Sequence, residues 1–106
     1  FIGKDYMGEG DLELGRNLVR MFLYTLDQGD DLPTSIILMN KGVLLATEDD
    51  MSVHSLASLQ TKGTELLVCG TCLNFYQLVD KLQVGTISNM YDISKRMLAA
   101  GKLITV

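Results

Sequence analysis

Short apolar runs alternate with amphipathic stretches along the chain, and this alternation restricts the fold more than any other feature. Thr34–Met39 and Thr64–Cys69 are mostly apolar, as strands buried on both faces of a parallel sheet are. The stretch Leu12–Leu26 instead carries leucines at helical spacing, with Asp11 as its candidate cap. Strands that alternate with helices predict a parallel sheet between two helix layers, which is a three-layer α/β/α domain.

The same patterns predict the remaining elements. Short strands are expected at Phe1–Gly3, Gly85–Ile87 and Lys102–Val106. Helices are expected from Ser52 to Gly63, from Leu73 to Leu82, and from Asn89 or Asp92 to Gly101. The first strand is shorter than the usual length of about five residues, so we expect further residues upstream of Phe1.

Size and charge restrict the classes of function. The 106 residues form one domain, and the net charge of −4 disfavours a nucleic acid or an anionic membrane as partner. No apolar run of membrane-spanning length and no signal-peptide pattern occurs, which predicts a cytoplasmic protein. The glycines between Gly3 and Gly15 match neither nucleotide-binding fingerprint. His54 is expected to face solvent, and we predict no metal or other cofactor.

Both cysteines of the chain lie in one motif, Cys69-Gly70-Thr71-Cys72, between a predicted strand and a predicted helix. Helix N-termini favour thiolate over thiol, and the thiolate is the reactive form. Cys72 lies closest to the predicted helix start at Leu73, so we expect it to be the reactive residue. Cys69 is then a second carrier or a resolving thiol.

Four interpretations of this cysteine pair remain open. A zinc site would need two more ligands, which the sequence does not supply nearby. A thioredoxin-type dithiol fits the spacing, although the lone proline, Pro33, is not obviously beside the thiols. Inert packing is a common fate of buried cysteine. The fourth interpretation is a sulfur carrier, in which one cysteine holds a persulfide.

Parallel sheets bind ligands beyond the carboxyl ends of their strands, and this rule selects further site candidates. We expect these residues to surround the thiols: Met7, Gly8, Asn40, Gly70, Thr71, Asn89, Met90 and Tyr91. Asn40 and Asn89 have side-chain amides that can donate to a thiolate or persulfide. Turn and cap chemistry is the alternative role of both asparagines.

A family resemblance rests on the cysteine motif. The segment Leu67–Tyr76, with the sequence LVCGTCLNFY, resembles the signature of the YedF-type proteins, described as sulfurtransferase-like selenium metabolism proteins. The similarity continues through Met7–Asp11 with Gly15, Asn40–Val43, Val84–Gly85 and Ser88–Ile93. It spans nearly all of the chain and falls in the C-terminal, DsrE/DsrF-like domain of such proteins.

The resemblance implies a five-stranded, mainly parallel sheet and a role in sulfur relay. In that role a strand-end cysteine, here Cys69 or Cys72, receives a persulfide and passes it to a partner. It also implies homo-oligomers, sulfur-carrier partners and an upstream SirA/TusA-like domain, which would account for the short first strand. Nothing in the residues distinguishes sulfur from selenium. A dithiol oxidoreductase and a non-catalytic assembly module are the alternatives.

The first helix carries more apolar residues than one packed face needs. A neighbouring helix, an upstream domain or a second copy of the chain could cover them, and the family resemblance favours the second copy. The inward row of the helix is expected to be Leu14, Leu18, Phe22 and Leu26. Further apolar residues lie outside that row: Val19, Met21, Leu23 and Tyr24. One helix on one sheet buries a stripe roughly 100° wide, so we expect some of these residues to contact another surface.

Overall fold

A parallel sheet forms the centre of the molecule, which the computed structural model describes over residues 1–106. Its strands are β1 (Ser35–Leu38), β2 (Glu65–Cys69) and β3 (Thr86–Ser88), in the order β1-β2-β3. Leu38 pairs with Val68, and Cys69 pairs with Ser88. The predicted α/β class with parallel strands is confirmed. β2 lies in the middle because both of its edges are paired.

The first and last predicted strands appear only as single pairings. Ile2 forms a parallel bridge with Leu38, next to β1. Val106 donates from its main-chain N–H to the Phe1 carbonyl over 2.8 Å and accepts from the Gly3 N–H over 3.2 Å. The Ile104 carbonyl also accepts from the Phe1 ammonium group over 2.7 Å, but no regular strand forms over Lys102–Val106. The structure thus has three strands, and the five strands and three layers expected from the sequence remain predictions.

Four α-helices surround the sheet: α1 (Leu12–Gln28), α2 (Asp50–Thr61), α3 (Gly70–Phe75) and α4 (Met90–Ala99). Asp11 caps α1, since its carboxylate accepts from the Leu14 N–H over 3.0 Å. Asn89, one of the two candidates, caps α4 in the same way through the Asp92 N–H. No helix combines the length and the apolar character that crossing a bilayer requires.

The inward face of α1 is not the predicted one. The buried row consists of Gly15, Val19, Leu23 and Asp27. Leu14 is 56% exposed, and Leu18 is exposed as well. Both rows repeat every four residues, so periodicity alone could not choose between them. The preceding loop favours the buried row, because the Met7 N–H donates to the Gly15 carbonyl over 2.9 Å and holds that loop against it.

The predicted helix Leu73–Leu82 begins earlier and ends earlier than expected. α3 stops at Phe75 because Gln77 adopts a left-handed conformation with φ 57°. The Leu78 N–H then donates back to the Leu73 carbonyl over 2.8 Å, which is the bond of a Schellman-type helix end. Only a single 3-10 turn follows, at Val79–Lys81. Glycine usually occupies such a left-handed position, so a glutamine at position 77 did not indicate the end of a helix.

A 3-10 helix, Asn40–Ala46, follows β1 and contains the apolar run Val43–Ala46, whose secondary structure could not be predicted from the sequence. Gly42 lies within this helix against the main chain of Ile2, so closely that a Cβ atom would overlap the Ile2 carbonyl oxygen. This approach fixes the carboxyl end of β1 beside the first segment of the chain. The apolar core extends from here through both faces of β1 and β2 to Val19 and Leu23 of α1.

Candidate functional site

The two cysteines lie at the carboxyl end of β2, the central strand. Cys69 is its last residue and pairs with Ser88 at the end of β3. Asn40 follows β1 at the same edge, since Leu38 pairs with Val68. The sheet-edge rule therefore placed the thiols, Asn40 and the start of α4 correctly. We call Asn40, Cys69–Cys72 and Ser88–Tyr91 the thiol edge.

Cys69 is the N-cap of α3, and this differs from the predicted arrangement. Its Sγ accepts a hydrogen bond from the Cys72 N–H over 3.4 Å, in place of the usual cap oxygen. The helix therefore starts at Gly70, and Cys72 is its third residue. The expectation that Cys72 lies closest to the helix start is wrong. The helix begins three residues earlier than predicted, at Gly70, because the sulfur of Cys69 caps its first turn.

Gly70 lets β3 approach the cysteine turn closely. A Cβ atom there would lie 3.1 Å from Ile87 Cγ2 and 3.2 Å from the Ser88 carbonyl oxygen. An added Cβ would require Ile87 and the Ser88 carbonyl to shift by a few tenths of an ångström. The next residue, Thr71, is exposed between the two cysteines. Glycine thus fits this close approach without strain, and the sequence identified it only as part of the motif.

The two thiols differ in accessibility. Cys69 is only 5% exposed, whereas Cys72 is half-buried, and neither forms a disulfide. Cys72 is therefore the thiol that a macromolecular or small donor can reach. Cys69 lies behind it and contacts the core cluster.

Asn40 contacts Cys72 through its main chain. Its N–H donates to Cys72 Sγ over 3.1 Å, and its backbone has a left-handed φ of 50°. A left-handed turn is more tolerable for asparagine than for most residues. We expected the side-chain amide to make this contact, but the backbone amide does so. The sheet topology predicted that Asn40 lies beside Cys72, but it did not predict that the main-chain N–H is the donor.

The pKa of Cys72 shifts in the direction opposite to the one expected from the sequence. Partial burial raises the pKa of the Cys72 thiol above its ordinary value, and the adjacent Cys69 thiol raises it further. The hydrogen bond from the Asn40 N–H lowers this pKa but does not outweigh the other two effects. At neutral pH the isolated domain consequently holds Cys72 mainly as a thiol.

Comparison with known protein families shows which family this fold and cysteine motif belong to. A sequence profile of the DsrE/DsrF-like family matches residues 7–106. The chain belongs to the DsrE/DsrF-like family. That family is associated with sulfur relay. No curated protein and no solved structure shows detectable similarity to the chain.

The other predicted site residues of this DsrE/DsrF-like domain form no hydrogen bond with either thiol. Asn89 is engaged as the cap of α4, so its amide has the structural role that was the alternative. Met90 and Tyr91 are exposed in the first turn of the same helix. Met7 is held against α1, and Gly8 is an exposed turn residue with φ 80°. No hydrogen bond links either of them to a cysteine.

Sequence reasoning missed two apolar residues near the thiols of this DsrE/DsrF-like domain. Ile87 packs over Gly70, and Phe75 is 78% exposed, with its ring edge-on to Tyr76 at a centroid distance of 5.1 Å. The spacing of Phe75, Leu78, Val79 and Leu82 predicted that Phe75 faces inward on a helix Leu73–Leu82. That prediction is wrong because α3 ends at Phe75. The structure contains no cluster of three or more His, Cys, Asp or Glu side chains suited to a metal ion.

Proposed function

We propose that this DsrE/DsrF-like domain carries sulfur as a persulfide on Cys72. The observation that carries the proposal is the pairing of accessibility with a donor. Cys72 is the half-buried thiol of the pair, and the Asn40 N–H lies 3.1 Å from its sulfur. A fixed main-chain donor at this position stabilises negative charge on Cys72 Sγ, which forms when the thiol ionises to attack and again when Cys72 leaves in transfer.

The transfer is a thiol exchange in two steps. The Cys72 thiolate attacks the outer sulfur of a donor persulfide, the donor S–S bond breaks, and the donor leaves as a thiolate. Cys72 then bears an S–S–H group. In the second step an acceptor thiolate attacks the outer sulfur, and Cys72 leaves as a thiolate. No electrons enter or leave the system.

The raised pKa of Cys72 gives this chemistry a pH dependence. Only the thiolate attacks, so loading from a small donor rises about tenfold per pH unit while the pH stays below the pKa of Cys72. The plateau is expected above the pH at which an ordinary cysteine levels off, because the pKa is raised. A docked protein donor that places positive charge beside Cys72 would lower the pKa of this thiol and so increase the fraction of thiolate.

The wider setting follows from the motif and is part of the proposal. The run Leu67–Tyr76 supports a YedF-type subfamily, in which a SirA/TusA-like domain or similar carrier is the partner. Sulfur and selenium fit the same thiol chemistry. A reducing cytoplasm would keep both cysteines free. Five exposed apolar side chains on α1 support self-association: Leu12, Leu14, Leu18, Met21 and Tyr24.

The proximity of the two cysteines favours a second candidate, a dithiol oxidoreductase. To separate the two functions, the reduced domain is treated with one equivalent of glutathione persulfide, and its intact mass is measured. A carrier gains one sulfur atom in the wild type but not in Cys72→Ser or Cys72→Ala. Thermal unfolding verifies that these variants are folded. An undiminished sulfur gain in both folded variants would refute Cys72 as the carrier.

A further inference from the structure

We infer that Cys69 is a resolving residue that releases the carried sulfur as inorganic hydrosulfide. The inference rests on the proposed function, because it begins from a persulfide on Cys72. It gives the loaded domain a second outcome besides transfer to an acceptor thiol. When no acceptor is docked, the neighbouring thiol completes the reaction within the chain.

The position of Cys69 limits it to this reaction. Its side chain is 5% exposed, so neither a protein donor nor an acceptor reaches its sulfur. It lies against Cys72 instead, because its Sγ accepts the Cys72 N–H over 3.4 Å. Residues three apart at a helix start have neighbouring side chains. The reactive group within reach of Cys69 is therefore the sulfur of Cys72.

The step balances without any outside oxidant. The Cys69 thiolate attacks the inner sulfur of the persulfide, Cys72 Sγ, and an S–S bond forms between the two cysteines. The bond between Cys72 Sγ and the outer sulfur breaks, and the outer sulfur leaves as hydrosulfide. The proton lost by Cys69 goes to solvent or to the leaving hydrosulfide. The two cysteine sulfurs are oxidised together, and the outer sulfur is reduced by two electrons.

Physical considerations favour this direction of attack. Two groups held in contact react as though one of them were very concentrated, so a slow thiol exchange becomes fast within the chain. Hydrosulfide is a weaker base than an alkyl thiolate, which makes it a good leaving group. The Asn40 N–H contacts the sulfur under attack, since it lies 3.1 Å from Cys72 Sγ.

The product and its regeneration define chemical neighbours for the domain. The consumer of its product must use inorganic hydrosulfide rather than a protein-bound persulfide. The Cys69–Cys72 disulfide must be returned to two thiols by a dithiol reductant. A docked acceptor competes with Cys69 for the same persulfide, so acceptor binding determines which product forms.

The test is a single turnover of the reduced domain with one equivalent of glutathione persulfide, after which small molecules are removed. Intact mass and released hydrosulfide are followed over time. The wild type is expected to gain one sulfur atom, then lose it with two hydrogen atoms, while one equivalent of hydrosulfide appears. Tenfold dilution of the loaded protein should leave the rate unchanged, because the step occurs within one chain.

Two variants keep the inference open to refutation. Cys69→Ser retains an oxygen that can cap α3, whereas Cys69→Ala removes the polar atom. A folding defect in one variant therefore need not occur in the other. Both should hold the added sulfur at least tenfold longer than the wild type and form no internal disulfide. Equal lifetimes in the wild type and both variants would overturn the resolving role while leaving the carrier role intact. Failure of the wild type and of both Cys69 variants to gain sulfur, with no hydrosulfide released, would instead refute the carrier, and with it this inference.

Discussion

The amino end of the parallel sheet and the thiol edge are held together by different kinds of interaction. At the amino end, charged side chains make the connections. Glu65 at the start of β2 accepts from Ser35 over 3.0 Å and from Arg96 of α4 over 2.8 Å. Lys62 and Asp27 join the ends of α2 and α1 over 2.9 Å. These pairs hold the strand starts and helix ends in register.

The thiol edge has no such pairs. None of the ion pairs in the structure involves Asn40, Cys69–Cys72 or Ser88–Tyr91. Close main-chain approach holds this end, at Gly42 against Ile2 and at Gly70 against Ser88. A fixed charge beside Cys72 would shift the thiol's pKa, so separating charge from sulfur leaves its reactivity to burial, Cys69 and one backbone donor. The comparison indicates that stability and chemistry can be altered independently.

The largest expected effect comes from Gly42→Ala, which breaks the backbone approach. The new methyl group would overlap the Ile2 carbonyl, and neither main chain can yield easily. We expect a loss of about 3 kcal/mol in the free energy of unfolding, measured by urea denaturation. Gly10→Ala is the control, because nothing lies within 4 Å of its added Cβ. Equal stability of the two variants would show that main-chain contact does not hold this end.

The next effect, at the amino end, is that of Asp27→Asn. Hydrogen bonds from Ser58 and the Lys62 ammonium hold the pKa of the Asp27 carboxyl below its ordinary value. Its contribution is therefore complete above about pH 4, the unfolded pKa, and is lost as the pH falls through the lower folded pKa. Asp27 lies near the surface although its side chain is covered, so we expect a loss of roughly 1–2 kcal/mol at neutral pH.

Two measurements sharpen this prediction. The stability difference between wild type and Asp27→Asn should shrink as the pH falls below about 4. Asp30→Asn is the matched control, since Asp30 is exposed and forms no ion pair. Sulfur loading of Cys72 should match that of the wild type in both variants. Reduced loading in a folded Asp27→Asn domain would show that the two ends are coupled.

The sequence predicted the strands better than it predicted which face of α1 is buried and where α3 begins and ends. β1 and β2 were placed to within one residue at either end, because long apolar runs have few other solutions in a small domain. The inward row of α1 was misassigned because two rows share one period. α3 was misplaced at both ends, by a sulfur cap at Cys69 and a left-handed Gln77. Neither signal belongs to the usual capping residues.

The candidate site shows the same division. The motif and the sheet-edge rule brought Cys69, Cys72 and Asn40 together, since strand ends of a parallel sheet meet at one edge. The donor at Cys72 was missed because a main-chain N–H has no sequence signature. The direction of the Cys72 pKa shift was wrong because it depends on burial and on the Cys69 thiol, which only the folded chain shows.

The smallest expected effects come from Asn40, and they test whether the thiol edge depends on main chain rather than side chain. Asn40→Gly keeps the N–H and fits the left-handed turn, so stability should change by only a few tenths of a kcal/mol. Asn40→Ala keeps the N–H but disfavours this turn, at a cost of about 1 kcal/mol. Because both variants retain the donor to Cys72 Sγ, sulfur loading by intact mass should stay within about twofold of wild type. If both folded variants lost loading together, the asparagine amide, and not the backbone, would be the group that acts on the sulfur.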